Sequence, residues 1–264
     1  MCTAPGDDVG PPAPAAVKEE ARTIRAGDGA ELREFLALPA TGFRRGAVLI
    51  IHDIWGYTDF YKDLARRITQ HGHAAALVDF FGRQGDLPES MRAPERTGTK
   101  PDAMARAMQR AQQLSDERFL ADLQTAVDDL LARGASRVAC WGFCMGGRLA
   151  DVAAARVSGL AGVVAYYGHL QAGPGRLAPL QLATEIKIPL LGIFGGADPG
   201  IPPEQIAAFR SALNTDKEIV IYPDAPHGFL RYGATDHRAA IDDALQRTFR
   251  FLSRVLATPP KTPA

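Results

Sequence analysis

The residue best suited to chemistry is Cys144, which lies between two glycines in the segment GFCMG at 142–146. This segment fits the pattern of a nucleophile elbow, in which a sharp turn from strand to helix lifts a side chain out of a sheet. The amide groups and dipole at the start of the following helix favour a thiolate. The pattern predicts a cysteine nucleophile, with the Met145 N–H as one donor to an oxyanion. The alternative is a buried, inert cysteine beside a structural glycine turn.

An acid and a base follow Cys144 in the order that such a site requires. Asp198 comes just after a predicted strand, and His227 lies in the loop after the next one. His227 can accept the thiol proton, and Asp198 can fix the ring tautomer and stabilise its charged form. Asp224 is a competing acid, but it shares a loop with His227 and cannot easily reach the opposite side of the ring. The expected triad is therefore Cys144, His227 and Asp198.

Two further candidates follow the first buried strand, in the segment HDIWG at 52–56. The N–H of Ile54 is where a second oxyanion donor is expected. Asp53 is an acid close to the elbow, and its alternative role is that of a loop or helix-capping carboxylate. Elsewhere, Cys140 is interpreted as a core residue. His169 follows another strand end and could line the pocket, although we interpret it as structural.

Strands and helices alternate along most of the chain and must hold these residues in place. Short apolar runs, such as Leu160–Tyr166, predict strands buried on both faces. Stretches such as Asp116–Ala132 and Arg238–Leu256 have helical periodicity, and Asp28-Gly29 predicts an N-terminal hairpin. This alternation predicts an α/β fold with a mostly parallel central sheet and helices on both faces.

A single domain is predicted over residues 21–257. An insertion at about 82–115 breaks the alternation and is expected to lie over one end of the sheet. Residues 1–20 are rich in proline, alanine and charge, which indicates a flexible N-terminal tail. Residues 258–264 are expected to form a C-terminal tail.

Composition narrows the classes of partner. The 264 residues include 30 Lys plus Arg and 30 Asp plus Glu, so the chain has no bulk attraction to nucleic acid or to an anionic membrane. Its three cysteines do not suggest a disulfide scaffold or a metal site. No apolar stretch has the length of a signal peptide or a membrane span. We expect a cytoplasmic monomer or small homo-oligomer that acts on a small molecule.

Five segments together resemble the dienelactone hydrolase family, also called carboxymethylenebutenolidases, over about residues 25 to 255. They are HDIWG at 52–56, DFFGRQ at 79–84, GFCMGG at 142–147, GGAD at 195–198 and HGFLR at 227–231. The resemblance implies the α/β-hydrolase fold, no cofactor, and a carboxylic ester hydrolase that forms a thioester on Cys144.

The resemblance also implies roles for three charged residues. In the bacterial enzyme a glutamate helps to switch the thiol into its active form, and Asp53 occupies that position with a side chain one methylene shorter. Arg83 and Arg231 match two arginines that hold the substrate carboxylate, for which a planar guanidinium is suited because it donates two parallel bonds. Either arginine could instead be a solvated surface residue.

The substrate expected from this resemblance is a small ester or lactone that bears a carboxylate, such as a dienelactone opened to a maleylacetate. A thiolate suits activated esters, because an enolate leaves more easily than sulfur is expelled again. Two alternatives remain open at this point. One is a general carboxylesterase or thioesterase, and the other is a non-catalytic or redox-sensing protein in which Cys144 is oxidised.

Overall fold

One sheet runs through the part of the chain that the computed structural model describes, which is residues 18–40, 42–43, 45–85, 101–232 and 236–257. Within these ranges the sheet has eight strands in the order β1-β2-β4-β3-β5-β6-β7-β8. The strands are β1 Lys18–Arg25, β2 Glu31–Leu38, β3 Ala47–Ile51, β4 Ala74–Val78, β5 Val138–Phe143, β6 Leu160–Tyr166, β7 Leu190–Gly195 and β8 Lys217–Tyr222.

Helices connect most of these strands. They are α1 Asp59–Gln70, α2 Pro101–Gln113, α3 Asp116–Ala132, α4 Met145–Arg156, α5 Pro179–Leu182, α6 Pro203–Ala212, α7 Phe229–Tyr232 and α8 Arg238–Leu256. Short 3-10 turns lie at Gly82–Gln84 and Ala183–Glu185. No helix in the described ranges is both long enough and apolar enough to cross a membrane.

The sheet is antiparallel only at one side. β1 pairs with β2 and β2 with β4 in antiparallel fashion, and every pairing from β4 through β3 to β8 is parallel. Each residue of the five central strands, β3 to β7, is buried. This burial explains their continuous apolar sequences, because helices cover both faces of a parallel sheet. The predicted α/β fold with a mostly parallel sheet is confirmed.

Successive side chains of β5 point to opposite faces of the sheet and contact different helices. The ring of Trp141 lies 5.9 Å from that of Phe249 on α8. A methyl group on the next residue, Gly142, would instead meet the side chain of Ala150 on α4, at 3.0 Å. Because successive side chains of a strand point to opposite faces, α8 and α4 cover opposite faces of the sheet.

The element boundaries differ from the predicted ones at two informative places. Lys18, Glu19 and Glu20 pair with the end of β2, so the strand begins inside the predicted tail of residues 1–20. The rest of that tail, residues 258–264 and residues 86–100 of the insertion lie outside the described residues. In addition, α4 begins at Met145 rather than at the predicted residue 148, so that Cys144 alone joins β5 to α4.

Candidate active site

Cys144 occupies a sharp turn between β5 and α4. Its backbone angles are φ 56° and ψ −114°, and it is one of two non-glycine residues in the described part of the chain with positive φ. Its N–H donates to the carbonyl of Tyr166 at the end of β6 (3.0 Å), and its carbonyl accepts from the N–H of Arg148 (3.1 Å). Such a conformation is unfavourable for a non-glycine residue and persists only where the surrounding structure holds it. It presents the thiol above the carboxyl ends of the parallel strands.

Glycines on both sides of Cys144 allow this turn to form. A methyl group at Gly142 would collide with the carbonyl oxygen of Gly146. A methyl group at Gly146 would collide with the carbonyl of Ile51 and lie 2.5 Å from that of His52. Because glycine has no Cβ, the elbow can pack directly on the backbone at the end of β3.

The three residues expected to act together lie close to one another. The Nδ1 of His227 lies 2.6 Å from Oδ2 of Asp198, and the His227 ring lines the same pocket as Cys144. The other oxygen of Asp198 accepts from the N–H of Gly200 at 2.9 Å. Asp224 is exposed and does not take the place of Asp198 beside the ring. The structure thus brings Cys144, His227 and Asp198 together in the expected order.

Electrostatics in this group favour a charged imidazole. Burial of the His227 ring lowers its pKa, but its hydrogen bonds to Asp198 and Cys144 outweigh burial and raise the pKa to about 10. Burial likewise opposes the charge of Asp198, yet the hydrogen bond and positive charge of His227 hold the pKa of that carboxyl below its ordinary value. These interactions favour the charged form of the His227 ring.

The two expected oxyanion donors face the same pocket as the thiol. Ile54 and Met145 both line the pocket beside Cys144 and His227. Among the described residues, neither N–H donates to a backbone carbonyl. Met145 is the first residue of α4, where free N–H groups are normal. Ile54 belongs to residues 52–56, which we call the oxyanion loop.

His52 fixes the start of the oxyanion loop. It is fully buried, and its Nε2 accepts from the N–H of Phe80 at 3.2 Å. Its Nδ1 therefore carries the proton and donates to the carbonyl of Asp53 at 2.8 Å. Burial lowers the pKa of His52, in agreement with a neutral ring. The sequence motif includes His52, but its spacing gave no indication of this role.

The pocket above Cys144 has a volume of about 500 Å³. Sequence reasoning missed two of its charged residues, Arg148 and Arg176. The spacing of Arg148 could have revealed it, since it follows Cys144 by one helical turn, whereas Arg176 lies in a loop that carries no motif. His169, interpreted from sequence as structural, also lines the pocket, and its ring centroid lies 5.7 Å from that of His227. Burial and the neighbouring His227 lower the pKa of His169.

Asp116 joins the two pocket arginines. Both of its oxygens accept from Arg148, at 2.7 and 2.9 Å, and Oδ1 also accepts from Arg176 at 3.1 Å. Asp116 is 5% exposed and does not line the pocket. Among the described residues, one carboxylate therefore balances two guanidinium groups, which leaves a net positive charge on this wall.

Comparison with known proteins identifies the family. The model of the dienelactone hydrolase family matches residues 32–256. The chain belongs to the dienelactone hydrolase family.

Relatives match nearly the whole of this family member. The "Putative carboxymethylenebutenolidase" of Saccharolobus solfataricus is 31% identical over 86% of this chain and 96% of its own length. The carboxymethylenebutenolidase of Rhodococcus opacus is 31% identical over 79% of this chain and 81% of its own. A crystal structure of a "Putative Dienelactone Hydrolase" from Klebsiella pneumoniae is similar with a TM-score of 0.76 and 28% identity, over 90% and 99% of the two chains.

Asp53 lies beside the site, but its carboxylate is directed to other partners. One oxygen accepts from the N–H of Trp55 at 2.8 Å, and the other accepts from Nη1 of Arg231 at 2.9 Å. The N–H of Asp53 donates to the hydroxyl of Tyr61 at 3.1 Å. No hydrogen bond joins Asp53 to the Cys144 thiol. In this family member the aspartate carboxylate holds the oxyanion loop.

The two arginines expected to bind a substrate carboxylate do not line the pocket. Arg231 is 7% exposed, pairs with Asp53 and packs over the ring of Phe60 at 5.1 Å. Arg83 donates to the buried Asp122 on α3 and, at 2.7 Å, to Asp28 of the hairpin turn. It lines a separate cavity of about 370 Å³. In this structure internal carboxylates pair with both guanidinium groups.

Within the described residues, no three His, Cys, Asp or Glu side chains are grouped so that they could hold a metal ion.

A first prediction concerns the close packing of the elbow. Gly146→Ala should lower the free energy of unfolding by about 2–3 kcal/mol, because the added methyl group would force backbone apart. Gly27→Ala is the matched control, since nothing lies within 4 Å of a methyl group there. Urea denaturation of both variants measures the difference. An equal effect at the two positions would show that the elbow has room for a side chain.

A second prediction concerns the charge of His227. In Asp198→Asn the pKa of His227 should fall by about two pH units, because the neighbouring negative charge is lost. The ring should then titrate closer to neutrality, whereas in the unmodified protein it stays protonated to about pH 10. NMR titration of the imidazole nitrogens measures this, with Asp224→Asn as the control. An unchanged titration in Asp198→Asn would contradict the role assigned to Asp198.

Proposed function

We propose that this protein hydrolyses small ester or lactone substrates through a thioester formed on Cys144. The observation that carries the proposal is the hydrogen bond from His227 to Asp198 beside Cys144, with His227 and Cys144 lining one pocket of about 500 Å³. A nucleophile, a general base and a group that orients the base are the components that acyl transfer requires. Family membership supports the same reaction class.

The first half of the reaction forms the thioester. The sulfur of Cys144 attacks the substrate carbonyl carbon, and the carbonyl oxygen becomes an oxyanion that accepts from the N–H groups of Met145 and Ile54. The carbon–oxygen bond to the leaving group then breaks. The protonated His227 gives its Nε2 proton to the departing oxygen, which leaves as an alcohol or enol, or stays attached if the substrate is a lactone.

The second half releases the acid. Neutral His227 removes a proton from water, and the resulting hydroxide attacks the thioester carbonyl. The same two N–H groups stabilise the second oxyanion. The carbon–sulfur bond breaks, the sulfur leaves as a thiolate, and His227 holds the proton for the next cycle. Asp198 keeps Nδ1 of the ring directed away from the pocket, so that Nε2 serves both steps.

We further propose that the substrate carries a carboxylate. Arg148 and Arg176 line the pocket, and no aspartate or glutamate in the described part of the chain does. With only Asp116 to balance them, they supply a positive field that attracts an anion and repels a cation. Arg83 and Arg231 are paired elsewhere, so this preference rests on the pocket arginines.

Dienelactone is a reasonable first substrate to test, because several relatives carry the name carboxymethylenebutenolidase. The rival candidate is a general carboxylesterase or thioesterase. Its support is the apolar part of the pocket lining, formed by Met108, Ala111 and Ala172. A charge preference among substrates separates the two candidates.

The third prediction concerns the nucleophile. Cys144→Ala should reduce hydrolysis of p-nitrophenyl acetate by at least about 10³-fold, because no other group can form the acyl intermediate. Rapid quenching of the unmodified protein should reveal an acyl adduct on Cys144 by mass spectrometry.

Cys140→Ala is the matched control for this experiment. Cys140 is buried in β5, where burial raises the pKa of its thiol, so it is not available for reaction. Its removal should leave kcat within about twofold. Full hydrolysis in Cys144→Ala would refute the proposed mechanism, and redox sensing would then become the stronger candidate.

The fourth prediction concerns substrate charge. Arg176→Met should lower kcat/KM for p-nitrophenyl hydrogen glutarate about 10-fold relative to its neutral methyl ester, because one charge-assisted interaction is lost. The ratio between the two substrates removes any common effect on folding or on the thiol. The same ratio should decrease as salt is added.

Arg83→Met is the control, because Arg83 lines a different cavity. It should change the ratio by less than about twofold. If Arg83→Met changed the ratio and Arg176→Met did not, the pair inferred from family resemblance would bind the carboxylate.

A further inference from the structure

Helix α2 packs directly against the oxyanion loop. Its buried residues Ala103 and Ala107 form a small apolar cluster with Trp55, and Ile54 packs against the same cluster. This cluster is separate from the main core. Trp55 is only 4% exposed. The packing of α2 therefore covers the residue that follows the expected oxyanion donor.

The oxyanion loop is held differently on its other side. Asp53 accepts from Arg231 and from the N–H of Trp55, and its own N–H donates to Tyr61. These bonds fix the residue before Ile54. The Trp55 side chain, on the residue after Ile54, has the alanine face of α2 as its apolar neighbour. The position of the Ile54 N–H thus depends on hydrogen bonds on one side and on helix packing on the other.

The C-terminal end of α2 is fixed by a residue of the pocket. Arg176 donates to the carbonyls of Ala111 at 3.1 Å and Gln112 at 2.6 Å, and also to that of Leu114. A guanidinium at this place satisfies carbonyl groups that the end of a helix leaves free and complements its dipole. Trp55 and Arg176 therefore both help to hold helix α2, as does Arg110, which donates to the carbonyls of Phe81 and Gly85.

We propose that α2 positions the oxyanion hole, with Trp55 as the positioning residue that transmits the packing of α2 to the Ile54 N–H. This inference rests on the proposed function, because it assigns α2 a part in the same reaction. Trp55 contacts no reacting atom in this scheme. It acts through the backbone of the neighbouring residue.

The proposal has a kinetic consequence. An oxyanion donor contributes only when its N–H lies about 2.7–3.1 Å from the developing charge. If α2 no longer packs on Trp55, the N–H of Ile54 loses this placement. The transition state then loses more stabilisation than the bound substrate does. The loss should therefore appear in kcat rather than in KM alone. Alkylation of the thiol by iodoacetamide forms no oxyanion and should not be affected.

The test compares the same substitution at two faces of α2. Ala107→Glu places a carboxylate against Trp55, whereas Ala105→Glu places it on the exposed face two residues away. Both variants should fold, since the cluster of Trp55 lies apart from the main core. Trp55→Phe is a milder second variant that removes part of the contact. Measurements are kcat and KM for p-nitrophenyl acetate, the iodoacetamide alkylation rate of Cys144, and hydrogen exchange of residues 52–56.

We expect Ala107→Glu to lower kcat about 10-fold or more, Trp55→Phe to lower it about threefold, and Ala105→Glu to change it less than twofold. The alkylation rate should stay within twofold of the unmodified protein, and amide exchange of residues 52–56 should become faster only in the first two variants. Unchanged kcat and exchange in Ala107→Glu would overturn the proposal. An equal loss of alkylation and hydrolysis would also overturn it, because the defect would then lie in the thiol.

The two hypotheses fail in different ways. If Cys144→Ala retained hydrolysis, the thioester mechanism would be wrong whatever the α2 variants do. The exchange measurement needs no turnover, so it tests the link between α2 and the oxyanion loop even then. Unchanged exchange in Ala107→Glu would exclude that link.

Discussion

The site depends on one close backbone contact, where the elbow at Gly146 lies against the carbonyls of Ile51 and His52. This contact fixes the distance between Cys144, which follows β5, and the loop that follows β3. A second contact, from the Cys144 N–H to Tyr166, fixes the elbow against β6. Because strands cannot shift independently in a fully paired sheet, the unfavourable φ of Cys144 is held by the whole centre of the sheet.

Charge is distributed in the site so that each ionised group has a partner. His227 is stabilised as a cation by Asp198 and Cys144, and Asp198 is stabilised in turn. Arg231 is balanced by Asp53. Among the described residues, Arg148 and Arg176 share only one carboxylate, that of Asp116. The excess positive charge therefore lies on the wall of the pocket that Cys144 and His227 also line.

The insertion has a structural part in this arrangement. Its helix α2 covers the pocket with Met108 and Ala111, and it covers the oxyanion loop through Trp55. The same residue that contributes positive charge to the pocket, Arg176, holds the end of α2. The pocket lining and the oxyanion loop are consequently connected through one helix that lies outside the alternating fold.

Sequence by itself determined the features that depend on local pattern. The alternation of elements, the bounds of β2, α3, β6 and α8, the elbow, and the order of Cys144, Asp198 and His227 all follow from periodicity and short motifs. Boundaries beside the elbow were placed wrongly, because strand and helix meet there with no spacer for a local pattern to mark. The start of β1 was also misplaced, since its pairing with β2 rather than its composition makes it a strand.

Only the tertiary structure decided where the charged side chains point. Arg83 and Arg231 sit at motif positions, yet Asp122, Asp28 and Asp53 come from distant parts of the chain and occupy them. Arg176 became a pocket residue because its loop folds over the end of α2. A long side chain can pair with any complementary group that folding brings within reach. The local sequence around the side chain therefore does not predict which group that is.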